Sequence, residues 1–468
     1  MIDFSKFKFY DNDIPLINTK SDSIPILISD DMNYLSRYLD DIEMTFVKSS
    51  GYFSSKVDTL FLSSTAGNLK SILIKPAKKK RFLIGDRIAR LPPGSYFIRD
   101  NLSDELAVEV VLGFCFSSYK YQPFKKKQEI FEVLLCFPDN VNKKKIIAFL
   151  KAEFFVRNLI NTPAVFLGPE NFENVIKKFA KEKQLKFSSI IGEELIKKNF
   201  PMIYTVGKAG REAPRFIELN WGKSDNYKVT VVGKGVCFDT GGLNIKSGTS
   251  MSVMKKDMAG AASVLGLAEI IICLNLEVSL TVLIPIVENS ISSQSFRPGD
   301  VLLSRKGLSV EVNNTDAEGR LILADALHYA DEGKPDLLIC MATLTGAARV
   351  ALGPDIVPFY TDDDSFSDTL LNSSQENFDP VWRLPFHSEY ENMIDSTVAD
   401  LDNAPKSGMA GSITAALFLR RFVELSTSFV HCDIFAWSLG NHSGKPSGGI
   451  MQGVRALFAA IEEKVKKD

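Results

Sequence analysis

Apolar residues in this chain gather into two kinds of run. Short stretches of about four to eight residues rich in Val, Ile, Leu and Phe, at 202–206, 216–220, 228–232, 278–286 and 337–341, are predicted to be strands. Between them, 169–183 and 193–198 carry apolar residues at helical spacing. Strands that alternate with helices predict a sheet with a parallel core, covered by helices on both faces. The longest apolar stretch, 263–287, is interrupted by Glu269, Asn275 and Glu277, and so reads as a helix followed by a strand rather than a membrane span.

The pattern changes along the chain. Residues 1 to about 140 mix short apolar runs (24–28, 59–62, 69–74, 106–112, 130–137) with polar turns, as a small α/β domain would. A helical pattern over 146–161 then runs into Thr162 and Pro163, which stop it. The expected fold is therefore α/β in two domains: an N-terminal α/β domain over 1–145, a connecting helix and linker over 146–165, and a larger α/β/α domain over 166–468 with a mixed, largely parallel central sheet. No repeats or low-complexity tracts interrupt this plan.

Composition narrows the classes of function. The 468 residues are 45% hydrophobic, enough for a full core in each domain, and the formal net charge of -2 gives no general attraction to nucleic acid or acidic membranes. Basic clusters at 78–81, 125–127 and 143–145 lack an aromatic platform and read as solvated faces, so a nucleic-acid partner is allowed but not indicated. The six cysteines have no paired spacing and read as buried thiols of a reducing compartment. The opening MIDFSKFKFYDNDIPL carries charges where a signal peptide needs an apolar core, which predicts a cytoplasmic protein. Of the four histidines, none forms an HExxH pair, and His328 reads as a packing residue.

Chemistry concentrates in two segments. The first, NTDAEGRL at 314–321, packs Asp316, Glu318 and Arg320 between an apolar run at 308–312 and a helical run at 321–330. A strand is expected to end there and a helix to begin, which puts the two acids in the crevice beyond the strand ends, where open α/β sheets bind ligands. If the segment is extended, residues i and i+2 point to one side, and Asp316 and Glu318 converge on one ion. Alone, the acids could equally cap the helix. The second segment, 229–262, adds Lys234, Asp239, paired Gly241 and Gly242, Lys246 and Asp257. Carboxylates crowded together repel unless cations lie between them, and hard divalent ions favour oxygen ligands, so a two-metal site is the economical explanation.

With these motifs, joined by MKKDMAGAA, ATLTG at 342–346 and the run 411–417, the sequence resembles the leucyl aminopeptidase family of cytosolic two-metal aminopeptidases over roughly its C-terminal two-thirds. The resemblance implies one metal on Lys234, Asp239, Asp257 and Glu318, and a second on Asp239, Asp316 and Glu318. Mn2+ or Zn2+ is implied, with Mg2+ admissible in one site, and a metal-bridging hydroxide as nucleophile. Lys234 would then be a neutral amine, an ordinary salt bridge being the alternative. Lys246 would stabilise the oxyanion and Arg320 would bind bicarbonate as proton shuttle, or else merely steady the acidic loop. Met254, Thr343 and Gly346 would line the pocket for a leucine-like first residue of peptides with a free N-terminus, although Met254 also reads as core. A homohexamer is implied as well. Cys237, Thr240 and Ser412 depart from the usual Thr, Ser and Ala. Two readings compete: a DNA-binding regulatory or architectural role, and a two-metal phosphatase or nuclease.

Overall fold

Six strands make the first sheet: β1 (Leu16–Ile17), β2 (Ile24–Ile28), β3 (Thr59–Ser63), β4 (Leu69–Ile74), β5 (Gly94–Ile98) and β6 (Val133–Cys136), in the order β1-β6-β5-β2-β4-β3. All neighbours pair parallel except β3 with β4. In this computed structural model residues 9, 13–54, 57–77, 80–126, 130–405, 407–440 and 442–467 are described. They divide into two units, one running to Lys151 and including Ser438–Ser447, the other comprising Ala152–Trp437 and the chain from Gly448 onward. The helix Lys143–Asn161 carries the chain from one to the other.

The second unit holds β7 (Lys186–Ile191), β8 (Arg215–Trp221), β9 (Tyr227–Gly233), β10 (Gly235–Asp239), β11 (Val278–Asn289), β12 (Val301–Leu303), β13 (Ser309–Glu311), β14 (Leu337–Ala342), β15 (Val357–Tyr360), β16 (Val381–Arg383), β17 (Leu401–Asp402) and β18 (Ser428–Asp433). Its main sheet runs β16-β15-β18-β14-β9-β11-β8-β7, with β10 beside β11. The central strands β18, β14, β9 and β11 are mutually parallel, and β10 is parallel to β11; antiparallel pairs occur at β15–β18 and β11–β8–β7. The expected mixed, largely parallel sheet is thus present. Every residue of β14 is buried, as a strand covered on both faces must be. Leu338, Cys340 and Ala342 pack with Leu321–Leu323 and Leu327 of the helix Glu318–Glu332, and the opposite face meets the helix Ala259–Leu274.

Residues 202–206, predicted as a strand, form the helix Pro201–Gly207 instead. Pro201 supplies the fixed φ of a first helical turn, and the buried residues fall at 202, 203, 206 and 207, a helical period. The buried carboxylate of Asp325 then accepts the free N–H groups of Met202 and Ile203 at 2.8 and 3.3 Å, a long-range partner invisible in a local window. The stretch 263–287 is the expected helix then strand, and among the described residues no helix is long and apolar enough to cross a membrane. Five of the six cysteines are buried, and Cys273 is partly so.

Candidate metal centre

Because the central strands are parallel, their C-terminal ends lie along one edge of the sheet. Lys234 follows β9, Asp239 ends β10, Asn289 ends β11, Thr343 follows β14 and Asp433 ends β18. Two further carboxylates come to this edge by other routes. Asp257 closes the 3-10 turn Met254–Lys256 that opens onto the helix Ala259–Leu274. Asp316 lies in the 3-10 turn Thr315–Ala317, and Glu318 begins the next helix.

The expected extended geometry at Asp316 and Glu318 is not what joins them. The preceding strand, β13, belongs to a separate three-stranded sheet, β12-β13-β17. The chain then turns because the Asn314 side chain accepts the Asp316 N–H at 2.8 Å, which favours a tight turn over a strand. Turn and helix start bring the carboxylates of Asp239, Asp316 and Glu318 within 4.8 Å of one another. The capping alternative does not describe Glu318, whose buried oxygens lie among other carboxylates.

Lys234 Nζ lies 2.8 Å from Asp257 Oδ2, 2.8 Å from Glu318 Oε1, and donates to the Thr343 carbonyl at 3.1 Å. Lys246 Nζ lies 2.7 Å from Asp239 Oδ2 and pairs closely with Asp316 Oδ1. Six predicted residues, Lys234, Asp239, Lys246, Asp257, Asp316 and Glu318, are therefore one cluster. Lys234 makes the ion pairs of the alternative reading: burial lowers it, but Asp257, Glu318 and Asp239 together hold it well above the usual lysine range. Burial likewise lowers Lys246, and Asp239, Glu318 and Asp316 raise it further than that. The acids show the reciprocal strain. Burial, then Asp239, pushes Glu318 up to about 8 and Asp316 up to about 6, against the pull of the lysines.

Several groups that local sequence reasoning passes over hold this cluster in shape. Asn289 donates from Nδ2 to Asp239 Oδ1 at 2.8 Å, to the Thr315 carbonyl at 3.1 Å and to Glu318 Oε2 at 3.4 Å. Its only sequence signal is a polar triplet, 288–290, closing a long apolar strand. Thr315 Oγ1 donates to the Gly241 carbonyl at 2.6 Å, and Asn403 takes the N–H groups of Asn313 and Asn314 at 2.8 and 3.1 Å. Gly241 and Gly242 have φ of 86° and 63°, and a side chain at Gly241 would meet the Asn244 carbonyl at 2.4 Å, so both the turn and the close approach require glycine. Thr343, expected in the pocket, also donates from Oγ1 to Asp257 Oδ1 at 2.7 Å and so orients that carboxylate.

Gly319 is pressed against a site lysine: a Cβ there would lie 2.6 Å from both Cε and Nζ of Lys234. A flexible side chain yields more easily than backbone, so Gly319→Ala should fold but drive the Lys234 amine away from Asp257 and Glu318. The expected result is a far-UV spectrum like that of the parent with kcat/KM at least about tenfold lower. Parent-like kinetics would show that the position of Lys234 does not matter.

Arg320 is buried, and its Nη1 donates to the Asn403 carbonyl at 2.6 Å, while Nε has no partner. Among the described residues no carboxylate lies within ion-pair distance of it, so it does not steady the acidic loop by a salt bridge. Burial pulls it down to about 10. Met254 is 8% exposed, consistent with either a core or a pocket wall, and Gly346 is open, its nearest neighbour being Arg349 Nη2 at 3.6 Å from an added Cβ. None of the four histidines joins the cluster; His328 Nε2 is 3.6 Å from Glu332 Oε1 on its own helix. Of the basic clusters, Lys78, Lys79 and Lys127 lie outside the described residues, and Arg81 is engaged by Glu105 and Glu109 at 3.3 and 3.0 Å.

The profile of the cytosol aminopeptidase family, catalytic domain, matches residues 154–458, and that of the M17 aminopeptidase N-terminal domain matches 24–138. The chain belongs to the cytosol aminopeptidase family. It is 38% identical to the cytosol aminopeptidase of Encephalitozoon cuniculi over 367 residues, 77% of this chain and 76% of that one. It is 33% identical to the probable cytosol aminopeptidase of Sulfurihydrogenibium sp. over 458 residues, 90% of each. The crystal structure of the Coxiella burnetii cytosol aminopeptidase superposes with a TM-score of 0.91 at 40% identity, covering 96% of this chain and 99% of its own. The bottromycin maturation enzyme BotP, in complex with Mn, gives 0.83 at 26% identity over 95% and 99%. As a cytosol aminopeptidase family member the chain is a metal-dependent aminopeptidase, a hydrolase acting on peptides, and the DNA-binding and phosphatase readings are not favoured.

Proposed function

We propose that this aminopeptidase releases single residues from peptides with a free N-terminus, and that the carboxylate cluster holds two divalent cations. The observation that carries the reading is the convergence of four carboxylates on two lysines. Asp257 Oδ2, Asp316 Oδ1 and Glu318 Oε1 are buried and are paired with the two ammonium groups rather than with any neutral donor. A donor set of carboxylate oxygens at this density fits hard divalent cations. Asp239 and Glu318, central in the cluster, would be shared by both ions; Asp257 and Lys234 would complete one site and Asp316 the other. Cations there would invert the local electrostatics, lowering Lys234 toward its neutral amine. The Mn in the BotP structure supports Mn2+, with Zn2+ equally suited and Mg2+ admissible at the all-carboxylate site. When bound, the ions supply an activated water and a Lewis acid for the scissile carbonyl.

The protein's own residues do the rest. Lys246, held protonated among Asp239, Asp316 and Glu318, is positioned to meet negative charge that develops on the carbonyl oxygen. Arg320 presents a buried guanidinium with a free Nε, a fork suited to a planar anion such as bicarbonate, which would carry the proton that no histidine is placed to carry. Lys246→Ala and Arg320→Ala should each lower kcat by about a hundredfold or more, with KM and metal content nearly unchanged, since both act on charge of the transition state. Loss of metal, or a normal kcat, in either variant would contradict this division of roles. The cytosol names of its relatives and its mostly buried cysteines support a cytoplasmic site of action. The family resemblance supports a homohexamer, which the mass of the assembly in solution would test.

A further inference from the structure

Beside Asp257 stand two cations that the proposed reaction does not use. Lys256 is 2% exposed, and Arg349 is half-buried. Among the described residues neither has a carboxylate within ion-pair distance. The Lys256 ammonium lies 5.1 Å from the centroid of the Phe435 ring, and the Arg349 guanidinium 4.5 Å from the same ring. A ring face offsets only part of the cost of burying a charge, so the arrangement lacks an anion.

The chain's own acids cannot supply it. Asp433 is consumed by the N–H groups of Leu344 and Thr345 at 3.0 and 3.1 Å, by Thr345 Oγ1 at 2.6 Å and by Ser412 Oγ at 3.1 Å. Asp257 is taken by Thr343 Oγ1 and Lys234. Placement says what could supply it. Lys256 lies in the same turn as Met254, and Arg349 Nη2 lies 3.6 Å from where a Cβ on Gly346 would be. Each is thus next to a residue of the proposed pocket for the first side chain, and Thr343, the third pocket residue, touches the metal cage. Besides its contact with the Phe435 ring, Arg349 donates a long bond from Nη1 to the Thr345 carbonyl at 3.4 Å, leaving Nη2 for a ligand.

We propose that this pocket takes an acidic first residue, its side-chain carboxylate paired by Arg349 and Lys256 over the Phe435 ring. The inference rests on the aminopeptidase reading of the cage and on Met254, Thr343 and Gly346 as the pocket. It departs from the leucine-like preference, because the walls that an aliphatic side chain would want dry carry two positive charges. Recognition of a fixed anion by such a pair discriminates strongly against the neutral isostere.

The test uses the full-length, metal-loaded protein and compares Glu-initiated with Gln-initiated dipeptides of the same second residue. The kcat/KM ratio should favour Glu by about tenfold or more, and Arg349→Met should collapse it toward one. Lys256→Met should reduce it as well, with metal content measured because Asp257 is its neighbour. Calorimetry with free L-glutamate and L-glutamine gives a reading independent of turnover: glutamate should bind tighter by a similar factor, and Arg349→Met should remove the difference. A Glu:Gln ratio of one or less in the parent protein, or a ratio that survives both substitutions, overturns the proposal. Failure of the underlying reading looks different, since then N-acetylation would leave cleavage unchanged, whatever the first residue.

Discussion

Acetylating the α-amine of a cleavable dipeptide should lower kcat/KM by about three orders of magnitude or more. The reason is positional. A free amine has a lone pair that a divalent cation can take as ligand, whereas acetylation delocalises that lone pair into an amide. The carboxylates of Asp239, Asp257, Asp316 and Glu318, gathered at one sheet edge, are where such cations would be held. Losing that anchor releases the scissile carbonyl from its place near Lys246, and positioning of this kind is worth roughly several kcal/mol, each 1.36 kcal/mol being a factor of ten. The measurement is the ratio of kcat/KM for the free and acetylated pair, run with both a Leu-initiated and a Glu-initiated compound. A ratio near one for both would mean that the amine is not recognised, and an endopeptidase or esterase reading would replace this one.

Exhaustive chelation should abolish hydrolysis and lower the melting temperature, and Mn2+ or Zn2+ should restore both. Burial and mutual repulsion already push Glu318 up to about 8 and Asp316 up to about 6, so the cluster is electrostatically strained wherever cations do not relieve it. An ion present at a hundred times its Kd stabilises the folded state by about 2.7 kcal/mol, which in a chain of this size is several degrees. Full activity in protein shown by mass analysis to be metal-free would end the two-metal reading. An unchanged melting temperature on metal loading would show that the carboxylates do not hold the ions.

Much of the site was legible because its residues sit in two short segments. Lys234, Asp239, Lys246 and Asp257 come from one, Asp316, Glu318 and Arg320 from the other, and in each the charged residues begin where an apolar run ends. A strand buried on both faces must end at the sheet edge, and polar residues just past it face solvent or a ligand. The same logic misjudged residues 202–206. Five mostly apolar residues suit a buried strand or a buried helix turn equally, and what decided for the helix was Asp325, more than a hundred residues away, accepting its first N–H groups.

By itself the sequence determined that the chain is α/β, that its larger part carries a mostly parallel sheet, and that carboxylates and lysines of two segments would share one site. Those follow from periodicity and residue chemistry, which are local. Only the tertiary structure decided how Asp316 and Glu318 meet, through a 3-10 turn set by Asn314 rather than an extended strand. It alone placed Asn289 under three of the site's oxygens, pressed Gly319 against Lys234, and set Arg349 and Lys256 over Phe435. Each of these joins residues distant in sequence through contacts of a few ångströms, and such contacts exist only once the parallel strands have brought their C-terminal ends to a common edge.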